Sequence, residues 1–149
     1  MFEPKKILVP TDFSDSSDKA LQEAIDVAGK YHSKITLLHV IDKEIQQCAV
    51  DYCLPIEDVA RLEADSVTLS RRRMQAEVAK LSGSQAVEID FDVKAGVPYD
   101  EIVKEQAEKG IDLIVMASHG RTGLAKFMLG SVADKVVKKA TTPVLLVKA

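Results

Sequence analysis

Apolar runs alternate along the chain with segments in which apolar residues recur every three or four positions. The runs KILVP, KITLLHVI, VEIDFDVK, DLIVMAS and PVLLVK predict five short strands at residues 6–10, 34–41, 87–94, 112–118 and 143–148. Between them, amphipathic helices are predicted at residues 12–31, 55–81, 98–110 and 131–140. The predicted order of elements is therefore βαβαβαβαβ.

Residues that start and stop helices stand at several of these boundaries. Serine and aspartate residues precede the apolar stripe of the first helix, where side-chain oxygens can cap free backbone N–H groups. Pro55 suits the first turn of the second helix, and Gly110 suits the residue that ends the third. We therefore expect a helix between each strand and the next.

Strands that are joined by helices must run parallel, because the chain crosses back before it starts the next strand. The near-continuous apolar character of the runs suits burial on both faces of the sheet. Residues 1–149 thus predict one α/β domain, a doubly wound, Rossmann-like five-stranded parallel sheet in the order 3-2-1-4-5 with helices on both faces. In that order the segments PTDFS and ASHG, which follow the first and fourth strands, flank one crevice where such folds bind ligands.

The overall charge and the apolar pattern exclude some partners. The chain has 20 basic and 23 acidic residues, a net charge of −3 and a pI near 5.6, so we expect no nucleic-acid partner and no attraction to an anionic membrane. No run approaches the roughly 18 apolar residues of a membrane span. The first residues show no secretory signal, and we expect a cytoplasmic protein.

Two further features carry little sign of chemistry. The basic run Arg71–Arg73 lies in an acidic helical segment and is typical of a solvated helix face. Cys48 and Cys53 have the spacing Cys-x4-Cys without a second pair or a nearby histidine, so we expect reduced thiols rather than a metal site. Residues 42–54, which contain both cysteines, have the weakest pattern, and we expect a mobile or partner-facing connection there.

The segment ASHGRTGLAKFMLGS, residues 117–131, carries the strongest sign of ligand chemistry. Gly130 and Ser131 stand where the fourth helix is predicted to begin, and the backbone N–H groups of a helix start favour an anion. Gly120 would let a phosphate approach beside the strand, with Arg121 and Lys126 as candidate charge partners. An ordinary surface loop is the alternative. The segment is neither a Walker A loop nor a Gly-x-Gly-x-x-Gly dinucleotide fingerprint.

Over nearly its whole length the sequence resembles the universal stress protein family. The resemblance rests on KKILVPTDFS, LLHVID, AGVPYDEIV, DLIVMASHGRTG and LGSVADKVVKKATTPVLLVK. The nucleotide-binding branch of that family has the pattern Gly-x2-Gly-x9-Gly-Ser/Thr, and this chain has Ala117-x2-Gly120-x9-Gly130-Ser131. Ala117 departs from the pattern. Because it directly continues the strand LIVM, we expect an ordinary φ there, and weaker nucleotide binding rather than its loss.

The resemblance implies that ATP binds here, with Mg²⁺ or Mn²⁺ held through the phosphates. It implies that Thr11 and Asp12 face the nucleoside and that adenine meets the backbone of Val40. The expected site residues are Pro10, Thr11, Asp12, Val40, Met116, Ala117, Gly120, Arg121, Gly130, Ser131 and Val132. Asp12 is also indicated by its position alone, since a carboxylate at a strand end can accept hydrogen bonds from a ligand or lie near magnesium. A cap on the first helix is the alternative role.

These observations leave three functions open and favour the first. The first is an ATP-binding stress-response or regulatory module, and the second is a dimeric interaction protein of the family branch without nucleotide, for which Ala117 argues. The third is a slow ATPase or phosphotransferase. His119 lies beside the expected phosphate site, but no paired carboxylate or nucleophile accompanies it, so we expect it to orient the loop and expect at most slow hydrolysis.

His39, inside an apolar strand, is expected to be a hydrogen-bonded core residue. The sequence identifies no regulatory protein partner.

The last strand predicts a homodimer. PVLLVK would lie at the edge of the sheet in the order 3-2-1-4-5, and it has no charge before Lys148 to blunt an exposed edge. We expect it to pair antiparallel with the same strand of a second chain across a two-fold axis. The family resemblance implies the same C-terminal dimer.

Overall fold

The computed structural model describes residues 1–42, 56–119 and 129–148. Its strands and α-helices, in chain order, are β1 (Lys6–Pro10), α1 (Asp15–Tyr31), β2 (Lys34–Asp42), α2 (Ile56–Ala79), β3 (Ile89–Gly96), α3 (Pro98–Lys109), β4 (Leu113–Ala117), α4 (Ser131–Lys139) and β5 (Val144–Val147). A short 3-10 helix, Ser84–Ala86, lies between α2 and β3. Cys48, Cys53, Gly120 and Arg121 lie outside the described residues.

The helix ends follow the capping chemistry that the sequence predicts. The Ser14 side chain caps α1 by accepting a hydrogen bond from the Ser17 N–H at 3.2 Å. His32 caps the carboxyl end of the same helix with a left-handed φ of 52°. Helix α3 starts at Pro98 and is capped at its carboxyl end by Gly110, where a φ of 61° favours glycine. The predicted element boundaries are confirmed to within a few residues because these local signals determine them.

The five strands form one parallel sheet in the order β3-β2-β1-β4-β5, which confirms the predicted doubly wound fold. The chain builds outward from β1 to β3 and then crosses to the other side of β1 for β4 and β5. Strand order therefore reverses between β1 and β4, and the connections that follow these two strands lead to opposite faces of the sheet. This reversal leaves a crevice at the carboxyl ends of β1 and β4.

Pro10 at the end of β1 helps to open that crevice. Backbone groups of successive residues in a parallel strand point to opposite neighbours, and the Lys6 carbonyl accepts from the Asp112 N–H on the β4 side. Pro10, four residues on, faces the same side and has no N–H to donate. The β1–β4 register accordingly ends at Leu8, whereas the pairing of β1 with β2 continues to Pro10.

Side chains of successive strand residues point to opposite faces and build two cores. Ile7 and Val9 of β1 join α1 and the α2 residue Met74 on one face. Leu8 joins Ile102 of α3 and Val136 of α4 on the other face. Helices α1 and α2 thus cover one side of the sheet, and α3 and α4 cover the other.

Helix α2 contacts the fold mainly through its second half. Arg71, Arg72 and Arg73 are exposed, as the sequence predicts, but two of them also make specific contacts. Arg71 donates to the Phe91 carbonyl at 3.2 Å, and the Arg73 guanidinium lies 4.0 Å from the centroid of the Phe13 ring. Among the described helices, α2 included, none combines the length and the apolar character that crossing a membrane requires.

Candidate functional site

A cavity of about 260 Å³ opens at the carboxyl ends of β1, β2 and β4, where the strand order reverses. This volume is close to the range of about 300–1,000 Å³ that is usual for small-molecule sites. Of the eleven residues predicted from the sequence, the nine that the structure describes line it, namely Pro10, Thr11, Asp12, Val40, Met116, Ala117, Gly130, Ser131 and Val132. Gly120 and Arg121 lie outside the described residues.

The cavity also has walls that the sequence did not predict. Pro98 and Ile102 come from α3, which begins just after the carboxyl end of β3 and reaches the same edge of the sheet. The junction Gly96-Val97-Pro98 is a strand-to-helix connection at that edge, and it was the available signal. Apolar periodicity marks only the side of α3 that is buried against the sheet. The periodicity therefore does not show that the first turn of α3 borders a ligand cavity.

The backbone of β2 supplies a polar edge at one end of the cavity. The Leu38 carbonyl accepts from the Thr11 N–H at 2.8 Å, so the backbone groups of Leu38 point towards β1. Backbone direction repeats every second residue in a strand, so the N–H and C=O of Val40 point the same way. The pairing of β1 with β2 ends at Pro10 and Leu38. The Val40 groups therefore point past the end of β1, into the cavity that Val40 lines.

The start of α4 forms the other end of the cavity. The Gly130 N–H donates to the Ser118 carbonyl at 2.7 Å, which ties the helix start to the end of β4. The first N–H groups of a helix have no intrahelical acceptor, and Ser131, Val132 and Ala133 occupy these positions beside the cavity. Together with the helix dipole they make this end of the cavity suitable for an anion.

Ala117 has the ordinary backbone that the sequence predicts. It is the last residue of β4 and pairs with Val147 in the parallel register. The described non-glycine residues with positive φ are Phe13 and His32, so Ala117 is not strained. Its side chain packs against the core on the face that α1 and α2 cover, so Ala117 lines the cavity without the backbone cost of a left-handed alanine.

The loop from Thr11 to Ser14 follows β1, and its first two residues, Thr11 and Asp12, line the cavity. The Asp12 Oδ1 accepts from the Ser14 N–H at 3.0 Å, whereas the cap of α1 is Ser14 itself. The alternative role of Asp12 as the helix cap is therefore wrong. Phe13, between them, has a left-handed φ of 64°, which is uncommon for a residue with a bulky side chain.

His39 and His119 both border the cavity. The ring Nδ1 of His39 lies 2.8 Å from the Thr11 carbonyl, which can only accept, so Nδ1 carries a proton. The expected hydrogen-bonded state of His39 is confirmed, but the side chain is half-buried beside the cavity rather than inside the core. The Nδ1 atom of His119 lies 2.9 Å from the Ser118 hydroxyl. Its role in orienting the loop stays a prediction.

A buried carboxyl lies beneath the loop from Thr11 to Ser14, on the side away from the start of α4. Glu77 of α2 is 5% exposed, and its two oxygens accept from the Thr11 hydroxyl at 2.8 and 3.1 Å. Burial raises the pKa of Glu77 to about 8, and its contact with the Asp18 carboxyl raises the pKa as well. The sequence did not indicate Glu77, because one acidic residue in a charged amphipathic helix gives no signal of burial.

The fold and the cavity define a class of protein: a doubly wound α/β protein with a ligand crevice at its switch point and a helix N-terminus in the crevice wall. A family model described as the universal stress protein family matches residues 3–148. The chain belongs to the universal stress protein family, as the sequence resemblance predicts.

Two relatives come from Methanocaldococcus jannaschii. Universal stress protein MJ0531 is 36% identical over 97% of this chain and 82% of its own length. Universal stress protein MJ0577 is 33% identical over 97% of this chain and 94% of its own length. The solved structure of MJ0577 matches with a TM-score of 0.83 at 32% identity, covering 99% of this chain and 98% of the other.

Two further solved structures of the family hold adenine nucleotides. A universal stress protein in complex with cAMP matches with a TM-score of 0.67 at 23% identity, covering 99% of this chain and 98% of the other. The universal stress protein from Archaeoglobus fulgidus in complex with dAMP matches with a TM-score of 0.60 at 20% identity, covering 99% and 100%. At these identities the likeness shows a shared fold.

We expect the free energy of unfolding to fall as the pH rises from about 5 to about 8 through the titration of Glu77. The folded-state pKa is raised from 4.5 to about 8, so between these values the folded protein holds a proton that the unfolded chain has lost. The stabilisation that this proton provides is fully present below the ordinary Glu77 pKa of 4.5, and it is lost as the pH rises through the folded-state pKa of about 8. Glu77→Gln resembles the neutral acid and should flatten the decline, melting about 2–4 °C above wild type at high pH.

Urea denaturation at several pH values measures the free energy of unfolding, and thermal unfolding at high pH measures the difference in melting temperature. The matched control is Glu63→Gln, the same substitution at an exposed position of the same helix, which should keep the wild-type pH profile. Equal pH slopes for wild type and Glu77→Gln would contradict the assignment.

Proposed function

We propose that this chain binds ATP, with Mg²⁺ or Mn²⁺ held through the phosphates, and acts as a regulatory or stress-response module with little or no hydrolysis. The observation that carries the proposal is the pairing of two unlike ends in one cavity. One end offers the backbone edge of Val40, and the other offers the first turn of α4. A base and a polyphosphate need these two kinds of surface.

The nucleoside end suits adenine and ribose. Adenine carries a ring acceptor beside an amino donor, and the N–H and C=O of Val40 offer the complementary donor and acceptor. Leu38 and Met116 supply apolar walls for the base. The Asp12 carboxylate lies at the same end, where it can accept hydrogen bonds from ribose hydroxyl groups.

The phosphate end relies on the backbone and on hydroxyl groups. Ser131 and Val132 begin α4 and would donate N–H groups to phosphate oxygens, with the Ser131 hydroxyl as a further donor. The sequence pattern adds Gly120 and Arg121 to this set. Within the described ranges, no three His, Cys, Asp or Glu side chains cluster in a way that could hold a metal ion. In the proposal the cation therefore takes most of its ligands from phosphate and water.

Membership of the universal stress protein family supports a nucleotide ligand, since cAMP and dAMP occupy two solved members of the same fold. One feature favours the alternative of a dimeric interaction protein without nucleotide, namely Ala117 at the first glycine of the pattern. The unstrained backbone of Ala117 makes its methyl group a small steric cost, so we favour ATP binding.

We also propose a cytoplasmic location, because the mildly acidic composition with two cysteines is typical of that compartment.

We expect calorimetric titration with millimolar ATP and Mg²⁺ to give a saturable heat, and expect weaker binding without the cation. Gly130→Val should abolish this binding, because its side chain would take up space beside the first turn of α4. Gly130 has a φ of −59° and a ψ of 152°, which valine can adopt, so circular dichroism should show an intact fold.

The matched control is Gly29→Val on α1, where an added Cβ would meet nothing within 4 Å and the cavity is not involved. Mass spectrometry of the supernatant from freshly denatured protein should also detect co-purified ATP. A flat titration with well-folded wild-type protein, or unchanged affinity in Gly130→Val, would contradict the proposed site.

We expect ATP turnover to be slower than roughly 1 s⁻¹, the low end of ordinary enzymes. His119 borders the cavity with its Nδ1 atom 2.9 Å from the Ser118 hydroxyl, and the sequence places no paired carboxylate or nucleophile beside it. Phosphate release under saturating ATP and Mg²⁺ measures the rate. A faster steady state would replace the binding module by an ATPase or phosphotransferase.

We propose that the chain forms a homodimer through β5. This strand is at the edge of the sheet, and Leu145 is 41% exposed there, whereas Val144 and Leu146 pack against the core. Leu145→Lys should therefore yield a monomer of 16.3 kDa in sedimentation equilibrium at micromolar concentration. Leu62→Lys, at an exposed leucine of α2, should remain dimeric. A wild-type mass of one chain at all concentrations would rule the dimer out.

A further inference from the structure

The loop beneath the proposed nucleoside site is held by a connected set of polar contacts centred on Thr11. Its N–H donates to the Leu38 carbonyl, and its own carbonyl accepts from His39. Its hydroxyl oxygen accepts from the Phe13 N–H at 3.0 Å. The single hydroxyl proton can then be donated to Glu77 at 2.8 Å. Glu77 thus sets the direction of the hydroxyl that holds the next turn of the loop.

Helix α2 makes a second contact with the same loop one turn earlier. The Arg73 guanidinium covers the Phe13 ring at 4.0 Å, and the His39 ring lies 4.4 Å from it on the side of β2. Phe13 has the left-handed φ of 64°, so surrounding contacts must hold it in place. Since Asp12 directly precedes Phe13, contacts that hold Phe13 also set where the Asp12 carboxylate lies.

We propose that Glu77 is a positioning residue for the nucleoside end of the ATP site, acting on Asp12 through the Thr11 hydroxyl and the backbone of Phe13. This inference rests on the proposed function, because it takes the cavity above the loop as the ATP site. Glu77 borders a separate small cavity of about 180 Å³ between α1 and α2, and we expect no direct contact with the nucleotide.

The positioning is linked to a proton. Asp18 of α1 lies in hydrogen-bonding contact with Glu77, and two carboxyl groups can bond only when one of them is protonated. Among the described residues, the other charged groups facing Glu77 are Asp12 in the loop and Arg73 and Lys80 on α2. Burial keeps Glu77 neutral at neutral pH by raising its pKa to about 8.

Loss of that proton has two consequences for an anionic ligand. Glu77 and Asp18 would repel each other, which loosens the packing of α2 on α1 beneath the loop. A further negative charge would also lie close to Asp12, below the nucleotide. ATP affinity should therefore fall as the pH rises through about 8, by about fivefold or more, the size of a typical coupling between sites.

The test compares ATP affinity by calorimetry at about pH 6.5 and about pH 9 in three variants and wild type. Glu77→Gln keeps an acceptor for Thr11 and a donor for Asp18, so it should bind like wild type at the lower pH and keep that affinity at the higher pH. Glu77→Ala should bind about fivefold more weakly or worse at both. Glu63→Gln, exposed on the same helix, should follow wild type at both.

A second readout needs no nucleotide. The amide NMR resonances of Phe13 and Ser14 should shift with pH in wild type, with a midpoint near the Glu77 pKa of about 8, and this shift should vanish in Glu77→Gln. A purely structural role for Glu77 would lower stability without producing or removing this titration. If Glu77→Ala does not fold, the glutamine variant still decides the matter.

The outcomes separate this inference from the proposed function. The same loss of ATP affinity at high pH in Glu77→Gln as in wild type would overturn the inference, and so would unchanged titration of the two amides. If wild type binds no ATP, the proposed function fails, while loss of the amide titration in Glu77→Gln would still support Glu77 as the residue that positions the loop.

Discussion

The central strand β1 is the constraint on which the rest of the structure depends. It pairs with β2 on one side and with β4 on the other, and its residues Ile7, Leu8 and Val9 are fully buried. Because the chain leaves β1 towards β2 and later returns to its other edge, the sheet must reverse there. Pro10 ends the strand without an N–H for the β4 side, and the two neighbours separate beyond it. The cavity lies where the reversal of strand order and this break in the ladder coincide.

The loop after β1 joins the two layers of the molecule at that break. Its backbone borders the cavity on the side of α3 and α4, while the Thr11 hydroxyl reaches Glu77 on the side of α1 and α2. A residue at the end of a buried strand can contact both layers because its backbone and side chain leave in different directions. The proposed site is thus supported from the opposite face of the sheet by a residue that does not line the cavity.

The sequence predicts much of this arrangement, and the reasons differ between elements. Strand and helix positions follow from apolar periodicity, and ends such as Gly110 follow from local capping. The nine described residues of the predicted site lie at the carboxyl ends of strands or at the start of α4, positions that strand order alone brings together. Pro98 and Ile102 were missed because their pattern reports burial against the sheet and not proximity to a cavity.

By itself, the sequence determined the order of the elements, the parallel sheet and the family, because each depends on local pattern or on motifs read along the chain. Tertiary structure alone decided which distant side chains meet. Glu77 lies 66 residues from Thr11, and only the packing of α2 across α1 buries its carboxyl beneath the loop. Phe13 likewise reads as an ordinary loop residue, yet Arg73 and His39 hold it in a left-handed conformation. Burial and charge contacts of this kind arise from three-dimensional packing, and no local periodicity encodes them.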